Sequence, residues 1–214
     1  MSGTMNEIQL REHIAVLGKS LYDRGLAHGS AGNISAKLPD GWLMTPTNSC
    51  LGRLDPARIS KLDADGQLIS GDKPSKETFL HVCMYRERAN CGAVVHLHSV
   101  HAVAVSCLDG INVDDVFPPI TAYAVMQVGQ LALVPYYPPG DESLAEAVRK
   151  IAGKHHAVLL ANHGPVVAGS SLDAAVNAIE ELEQTAKLHL LLQGQPTRFL
   201  TAAQVAELNR RFAS

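Results

Sequence analysis

The stretch Ala93-Val94-Val95-His96-Leu97-His98 constrains this chain more than any other. Its apolar opening reads as a strand buried in a core. Two histidines follow at a spacing of two, and on a strand such residues point to the same face. A fold that buries this strand must bring both imidazoles to one place at its end. Ten histidines occur in 214 residues, and several crowd into Val95 to His101.

Around that strand the pattern is mixed α/β. Leu10, Ile14, Leu17 and Leu21 recur at helical spacing, with Gly25 as a stop. Apolar stretches at Ile34–Leu38 and Trp42–Thr45, split by Pro39-Asp40-Gly41, predict a hairpin, and Ala64–Gln67 predicts another. Ser75 reads as the N-cap of a helix running to about Arg88. Helicity is expected again from Val100 to Leu108. Leu131–Val134 reads as a strand closed by Pro135, Pro138, Pro139 and Gly140, with Asp141 or Ser143 capping the helix that follows. Ala157–Ala161 and Val166–Ala168 pair across Gly164-Pro165, and the longest helix starts near Ser171. Thr201 with Gln204 fits a capping box for a last helix.

Length and composition set the outer bounds. A chain of 214 residues suits one compact domain. The formal charge of −3 offers no global basic surface for nucleic acid or anionic membrane. No apolar run approaches the ~20 residues of a bilayer span. Residues Met1 to Arg11 lack a signal-peptide pattern, so a cytoplasmic protein is expected, with Cys50, Cys83, Cys91 and Cys107 as reduced core thiols.

His96 and His98 alone are a weak sign of metal, because buried histidines more often bond to backbone. A third histidine changes the balance. His163 follows an apolar strand and precedes Gly164-Pro165, at a strand end where loops carry function. Three neutral imidazoles with one open position make a catalytic zinc site. Glu77, in the first turn of the Ser75-capped helix, reads by itself as a carboxylate favoured by the helix dipole. Beside it, Ser75-Lys76, Thr45-Pro46-Thr47-Asn48 and Ser30-Ala31-Gly32-Asn33 are three small, donor-rich turns. Together with a metal site they suggest a phosphorylated small molecule.

The order Gly32-Asn33-Ile34-Ser35, Thr45-Pro46-Thr47, Ser75-Lys76-Glu77, Val95-His96-Leu97-His98-Ser99 and Asn162-His163-Gly164 resembles the class II aldolase/adducin family, from about residue 7 to 200. The resemblance implies a single domain over 1–214, with a three-layer α/β/α fold around a largely antiparallel sheet. It implies a homotetramer with sites near subunit interfaces. It implies His96, His98 and His163 as ligands of one Zn2+ per chain, with Mn2+ as the alternative metal. Glu77 takes the acid/base position and Tyr123 that of a catalytic tyrosine. Asn33, Thr47 and Ser75 match positions that hold the substrate phosphate, with Ser30 and Gly32 beside them.

Within the family, the wording of Ser75–Phe79 and Pro118–Tyr123 is most similar to decarboxylases of phosphorylated 3-keto sugar acids. Asn48 stands where aldolases carry glycine, Lys76 replaces a second serine, and no tyrosine follows Tyr137. The expected reaction is loss of carbon dioxide through a metal-stabilised enediolate to give dihydroxyacetone phosphate. Fuculose-phosphate-type aldol cleavage is the alternative. A non-catalytic adducin-like module would have lost the metal ligands. His28 and His101 lie near the motifs and read as ordinary hydrogen-bonded histidines; His81 falls outside any motif.

Overall fold

Neighbouring residues in the most buried strands point into two different cores. The computed structural model describes residues 5–138 and 141–212; the break expected at Pro139 and Gly140 lies outside them. Helix α1 (Glu7–Asp23) starts with a capping box, in which Asn6 and Gln9 bond each other's backbone N–H at 3.0 Å. Ile14, Gly18 and Leu21 form its buried face. The chain leaves α1 through Gly25 at φ 77°, where glycine is strain-free.

Strands β1 (Asn33–Leu38) and β2 (Gly41–Met44) form the predicted hairpin, with Leu38 opposite Gly41. A Cβ at Gly41 would lie 1.9 Å from the Leu62 carbonyl oxygen, so the strand crossing there admits only glycine. The meander continues through β3 (Ser60–Asp63) and the exposed edge strand β4 (Leu68–Ser70). After α2 (Thr78–Glu87) comes β5 (Ala93–His96), then α3 (Val100–Ser106). Strand β6 (Ala132–Val134), α4 (Glu142–Ala152), β7 (Ala157–Leu160) and β8 (Gly164–Gly169) complete the sheet. Helices α5 (Leu172–Leu192) and α6 (Ala202–Phe212) follow.

Among the described residues eight strands form one sheet, in the order β4-β3-β2-β1-β5-β8-β7-β6. Every neighbouring pair is antiparallel except β6–β7. Ala93 and Val95 of β5, Ala157 and Leu159 of β7, and Val167 of β8 pack with α1, α3 and α5. Their neighbours Val94, Val158, Leu160, Val166 and Ala168 pack with α2 and α4 on the other face. The two-residue period of a strand thus feeds both cores, and the expected three layers are present. Fully buried Ile14, Leu21, Ile179 and Leu182 each stabilise the fold by ~1.5–3 kcal/mol.

Three local expectations are corrected. The N-cap of α2 is Glu77, not Ser75. Ser75 instead closes the turn before the helix: its hydroxyl accepts the Glu77 N–H at 3.2 Å and its carbonyl accepts from Thr78. Strand β5 stops at His96, so His98 lies beyond its last ladder pair. Among the cysteines only Cys83 and Cys91 are buried; Cys50 is half-buried and Cys107 exposed. An element that the pattern did not announce is a wide π-type turn at Ala124–Val128. Among the described residues no helix is long and apolar enough to cross a membrane.

Candidate metal centre

Sheet register assembles this site. Asn33 at the start of β1 pairs with His96 at the end of β5, which in turn pairs with Val166 of β8. The turn between β7 and β8 adds His163 at the same end of the sheet. Asn162 at φ 56° and Gly164 at φ 149° fold that turn back sharply. Gly164 lies flat against the chain after β5, where a Cβ would stand 2.3 Å from the Leu97 carbonyl oxygen. This contact presses the His163 turn onto Leu97-His98.

The three imidazoles converge through Nε2. His96 and His98 are 3.0 Å apart there, His98 and His163 3.0 Å, and His96 and His163 3.3 Å. His96 Nδ1 lies 2.8 Å from the Pro165 carbonyl, which can only accept, so Nδ1 carries the proton and Nε2 offers a lone pair. Where these nitrogens carry no proton, their lone pairs repel at this range unless a cation lies between them. A tetrahedral ion with ~2.0–2.1 Å bonds to nitrogen sets ligand atoms ~3.3–3.4 Å apart, close to the spacing observed. Glu77 closes the group, with Oε1 3.2 Å from His163 Nε2 and Oε2 3.6 Å from His96 Nε2. The donor set therefore fits a divalent metal.

Protonation agrees with that fit. Burial pushes His98 down to about 4, helped by His96 and His163 beside it. Burial likewise lowers His96, with Glu77 opposing. Both rings are thus uncharged near neutral pH, each with one nitrogen free of a proton. Burial alone would raise the Glu77 carboxyl. The His163 hydrogen bond, His96 and the Asn33 amide outweigh it and hold the group well below the usual carboxylate range.

The donor-rich turns lie alongside. The Thr47 N–H bonds the Lys73 carbonyl at 2.9 Å and the Ser75 N–H bonds Thr45 at 3.1 Å, which zips Thr45–Thr47 to Lys73–Ser75. Asn48 adopts φ 58°, the left-handed region where asparagine substitutes best for glycine. Lys76 is exposed, as is Ser30. Gly32, at φ 85°, brings its backbone so near His96 that a Cβ would stand 2.9 Å from the His96 carbonyl oxygen. Tyr123 is 64% exposed at the head of the π-type turn and makes no hydrogen bond to the cluster among the described residues. His101 Nδ1 bonds the buried Glu183 carboxylate at 2.7 Å, and the same carboxylate accepts the His101 and Ala102 N–H groups at the start of α3. His28 is exposed near His98.

Asn33 is already engaged: its Nδ2 donates to Glu77 Oε2 at 2.7 Å. Behind it lies a buried polar chain that the motif reading passed over. His81 Nε2 meets Asn33 Oδ1 at 2.6 Å, His81 Nδ1 meets Ser35 Oγ at 2.7 Å, and Ser35 Oγ meets the Tyr85 hydroxyl at 2.8 Å. A signal for it was present. Glu77 at the cap of α2 and His81 and Tyr85 on the helix recur every four residues, and Asn33 and Ser35 alternate on β1.

The fold and this centre together define a known class. The sequence matches the Class II Aldolase and Adducin N-terminal domain over residues 12–190, and the chain belongs to that family. It is 53% identical over 203 residues to the 3-oxo-tetronate 4-phosphate decarboxylase of Escherichia coli strain K12, covering 94% of this chain and 96% of that one. It is 36% identical over 173 residues to the L-fuculose phosphate aldolase of Methanocaldococcus jannaschii, covering 81% and 91%. The crystal structure of YgbL from Klebsiella pneumoniae superposes with a TM-score of 0.94 at 50% identity, over 96% of this chain and all of that one (100%). The decarboxylase and the aldolase are both named for breaking carbon–carbon bonds.

Proposed function

We propose that this protein is a zinc-dependent decarboxylase that converts 3-oxo-tetronate 4-phosphate to dihydroxyacetone phosphate and carbon dioxide. The observation that carries the reading is the convergence of three Nε2 atoms at 3.0–3.3 Å beneath the Glu77 carboxylate. His96, His98 and His163 would hold the ion, zinc in preference to manganese because the nitrogen donors are all imidazole. Bound there, a divalent metal supplies a Lewis acid for a substrate ketone oxygen.

The remaining steps belong to the chain. Breaking the bond between the carboxylate and the neighbouring carbon releases carbon dioxide and leaves an electron pair on that carbon. Glu77 borders the cluster and is half-buried, so its carboxyl is the group suited to pass a proton drawn from solvent to that carbon, where it replaces the lost carboxylate. Asn33 keeps the carboxylate aimed inward through its 2.7 Å bond. Thr47, Asn48 and Ser75, with Ser30, Gly32 and Asn33 beside them, would surround the substrate phosphate, and exposed Lys76 would add positive charge. The greater identity to the named decarboxylase than to the named aldolase, 53% against 36%, favours loss of carbon dioxide over aldol cleavage.

In this reading the whole chain is one catalytic domain and works as a homotetramer. Tyr123, whose ring lies out in solvent, would then serve a neighbouring subunit's site. The deciding experiment supplies the purified protein with 3-oxo-tetronate 4-phosphate or L-fuculose 1-phosphate and follows carbon dioxide and triose phosphate. Stoichiometric release of both from the keto acid, abolished by a chelator and restored by zinc, is expected. Aldehyde release from the fuculose phosphate, with no carbon dioxide from the keto acid, would instead establish the aldolase.

A further inference from the structure

The polar chain behind Glu77 runs through the protein interior, with Ser35 and His81 1% exposed, Asn33 4% and Tyr85 6%. Trp42 stacks over the Tyr85 ring at 5.7 Å and covers its far end. Buried polar groups in such a chain must be matched donor to acceptor. The matching here has one solution. A carboxylate only accepts, so Asn33 must turn its amide NH2 toward Glu77 and its carbonyl oxygen toward His81. That oxygen also only accepts, so His81 Nε2 must carry the proton. His81 Nδ1 is then an acceptor and takes the Ser35 hydroxyl proton, leaving the Ser35 oxygen to accept from Tyr85. Burial pushes the His81 imidazole down to about 3, which leaves it a single N–H to place.

We infer that His81 is a positioning residue for the acid/base: its Nε2–H tautomer locks the Asn33 amide in the one orientation that donates to Glu77. A reversed Asn33 would face the carboxylate with a carbonyl oxygen and push it away from the cluster. Glu77 caps α2, which carries His81 and Tyr85 at the next two turns, and β1 carries Asn33 and Ser35 at alternate residues. The helix–strand contact thereby transmits one hydrogen-bond direction from Tyr85 to the site. His81 touches neither substrate nor the converging imidazoles in this scheme and acts only through Asn33. The inference rests on the acid/base part proposed for Glu77.

The test combines a tautomer measurement with kinetics. In the metal-free protein labelled with 15N-histidine, long-range proton–nitrogen correlation spectra should report His81 as neutral with the proton on Nε2. A proton on Nδ1, or a charged ring, would overturn the inference whatever the substrate proves to be. His81→Leu removes both nitrogens at similar volume. It should lower kcat by ~10–100-fold, the range for groups that orient a functional side chain, with KM and bound zinc unchanged. His81→Gln returns a donor near the place of Nε2 and should recover most of that loss. Wild-type kcat in His81→Leu, or no recovery in a folded His81→Gln, would sink the inference. If the wild-type protein leaves 3-oxo-tetronate 4-phosphate intact, the substrate assignment fails, while the tautomer spectrum still decides the wiring.

Discussion

Gly164 packs directly on the backbone of Leu97, with room for a hydrogen and nothing larger. The contact joins the β7–β8 turn to the residues after β5, and it sets how near His163 comes to His98. Gly164→Ala should wedge the two apart. We expect a destabilisation of ~1–3 kcal/mol, typical of overpacking, together with weakened metal binding. Metal content after dialysis and the urea midpoint measure the two effects; wild-type metal affinity in Gly164→Ala would mean that the turn does not set the spacing.

Single alanine substitutions at His96, His98 or His163 should lower zinc content and turnover in parallel, because each removes one of three converging nitrogens. Elemental analysis of the purified variants tests this. Full zinc occupancy in His163→Ala would remove that residue from the centre.

Glu77→Gln should part company with the histidine variants. The amide keeps the size and can still meet its neighbours, but it carries no transferable proton. Zinc should remain bound while kcat falls by ~10²–10⁴. A near-normal rate would reduce Glu77 to the cap of α2.

Acid should destabilise the metal-free protein above the pH at which carboxylates usually titrate. His98 and His81 are lowered from 6.5 to about 4 and about 3, in each case chiefly by burial. The unfolded chain therefore binds protons that the folded chain refuses, and stability falls as pH drops from about 6.5 toward about 3. Above about 6.5 their contribution is complete. Urea midpoints of metal-free protein should thus be lower at pH 5 than at pH 7.5. Equal midpoints would mean that these rings are not held neutral by burial.

Lys76 offers a way to separate the two lyase chemistries. It is exposed beside Ser75, where its ammonium can meet a substrate charged at both ends. Lys76→Ser should raise KM for the keto acid and leave zinc content unchanged. Added salt should weaken the wild type more than the variant, because an exposed attraction is screened within ~10 Å at 0.1 M. Unaltered kinetics at low salt would count against a substrate that carries a carboxylate besides its phosphate and in favour of the aldolase.

Much of this architecture was legible because its signals are local. The capping pairs Asn6–Gln9 and Thr201–Gln204, and the two-residue turn at Pro39-Asp40, each mark an element boundary within four residues. The histidines were legible from their close spacing at the end of an apolar run, although the strand stops at His96 and His98 joins the cluster from the segment beyond it. What lay outside sequence reading depended on partners far away in the chain. Ser75 looks like a helix cap until the Glu77 side chain turns to Asn33 and His163 and the helix starts later. His81 looks idle because its partners Asn33 and Ser35 lie 48 and 46 residues distant. The strand order, and with it the pairing of Asn33 with His96, follows no local rule.

Among the described residues, strand β5 alone joins the β1–β4 meander, residues 33 to 70, to the group β6–β8, residues 132 to 169. Its pairings span long stretches of chain, as when His96 meets Val166. Such contacts are slow to form, since a large loop must close before they are rewarded. The imidazoles of His96 and His163 therefore meet at the moment the two parts of the sheet are sewn together. A nascent chain has no cage with which to compete for metal, so an ion held by these imidazoles would be loaded after folding. Once loaded, the ion would rivet the seam and slow the first tear through which this sheet could open.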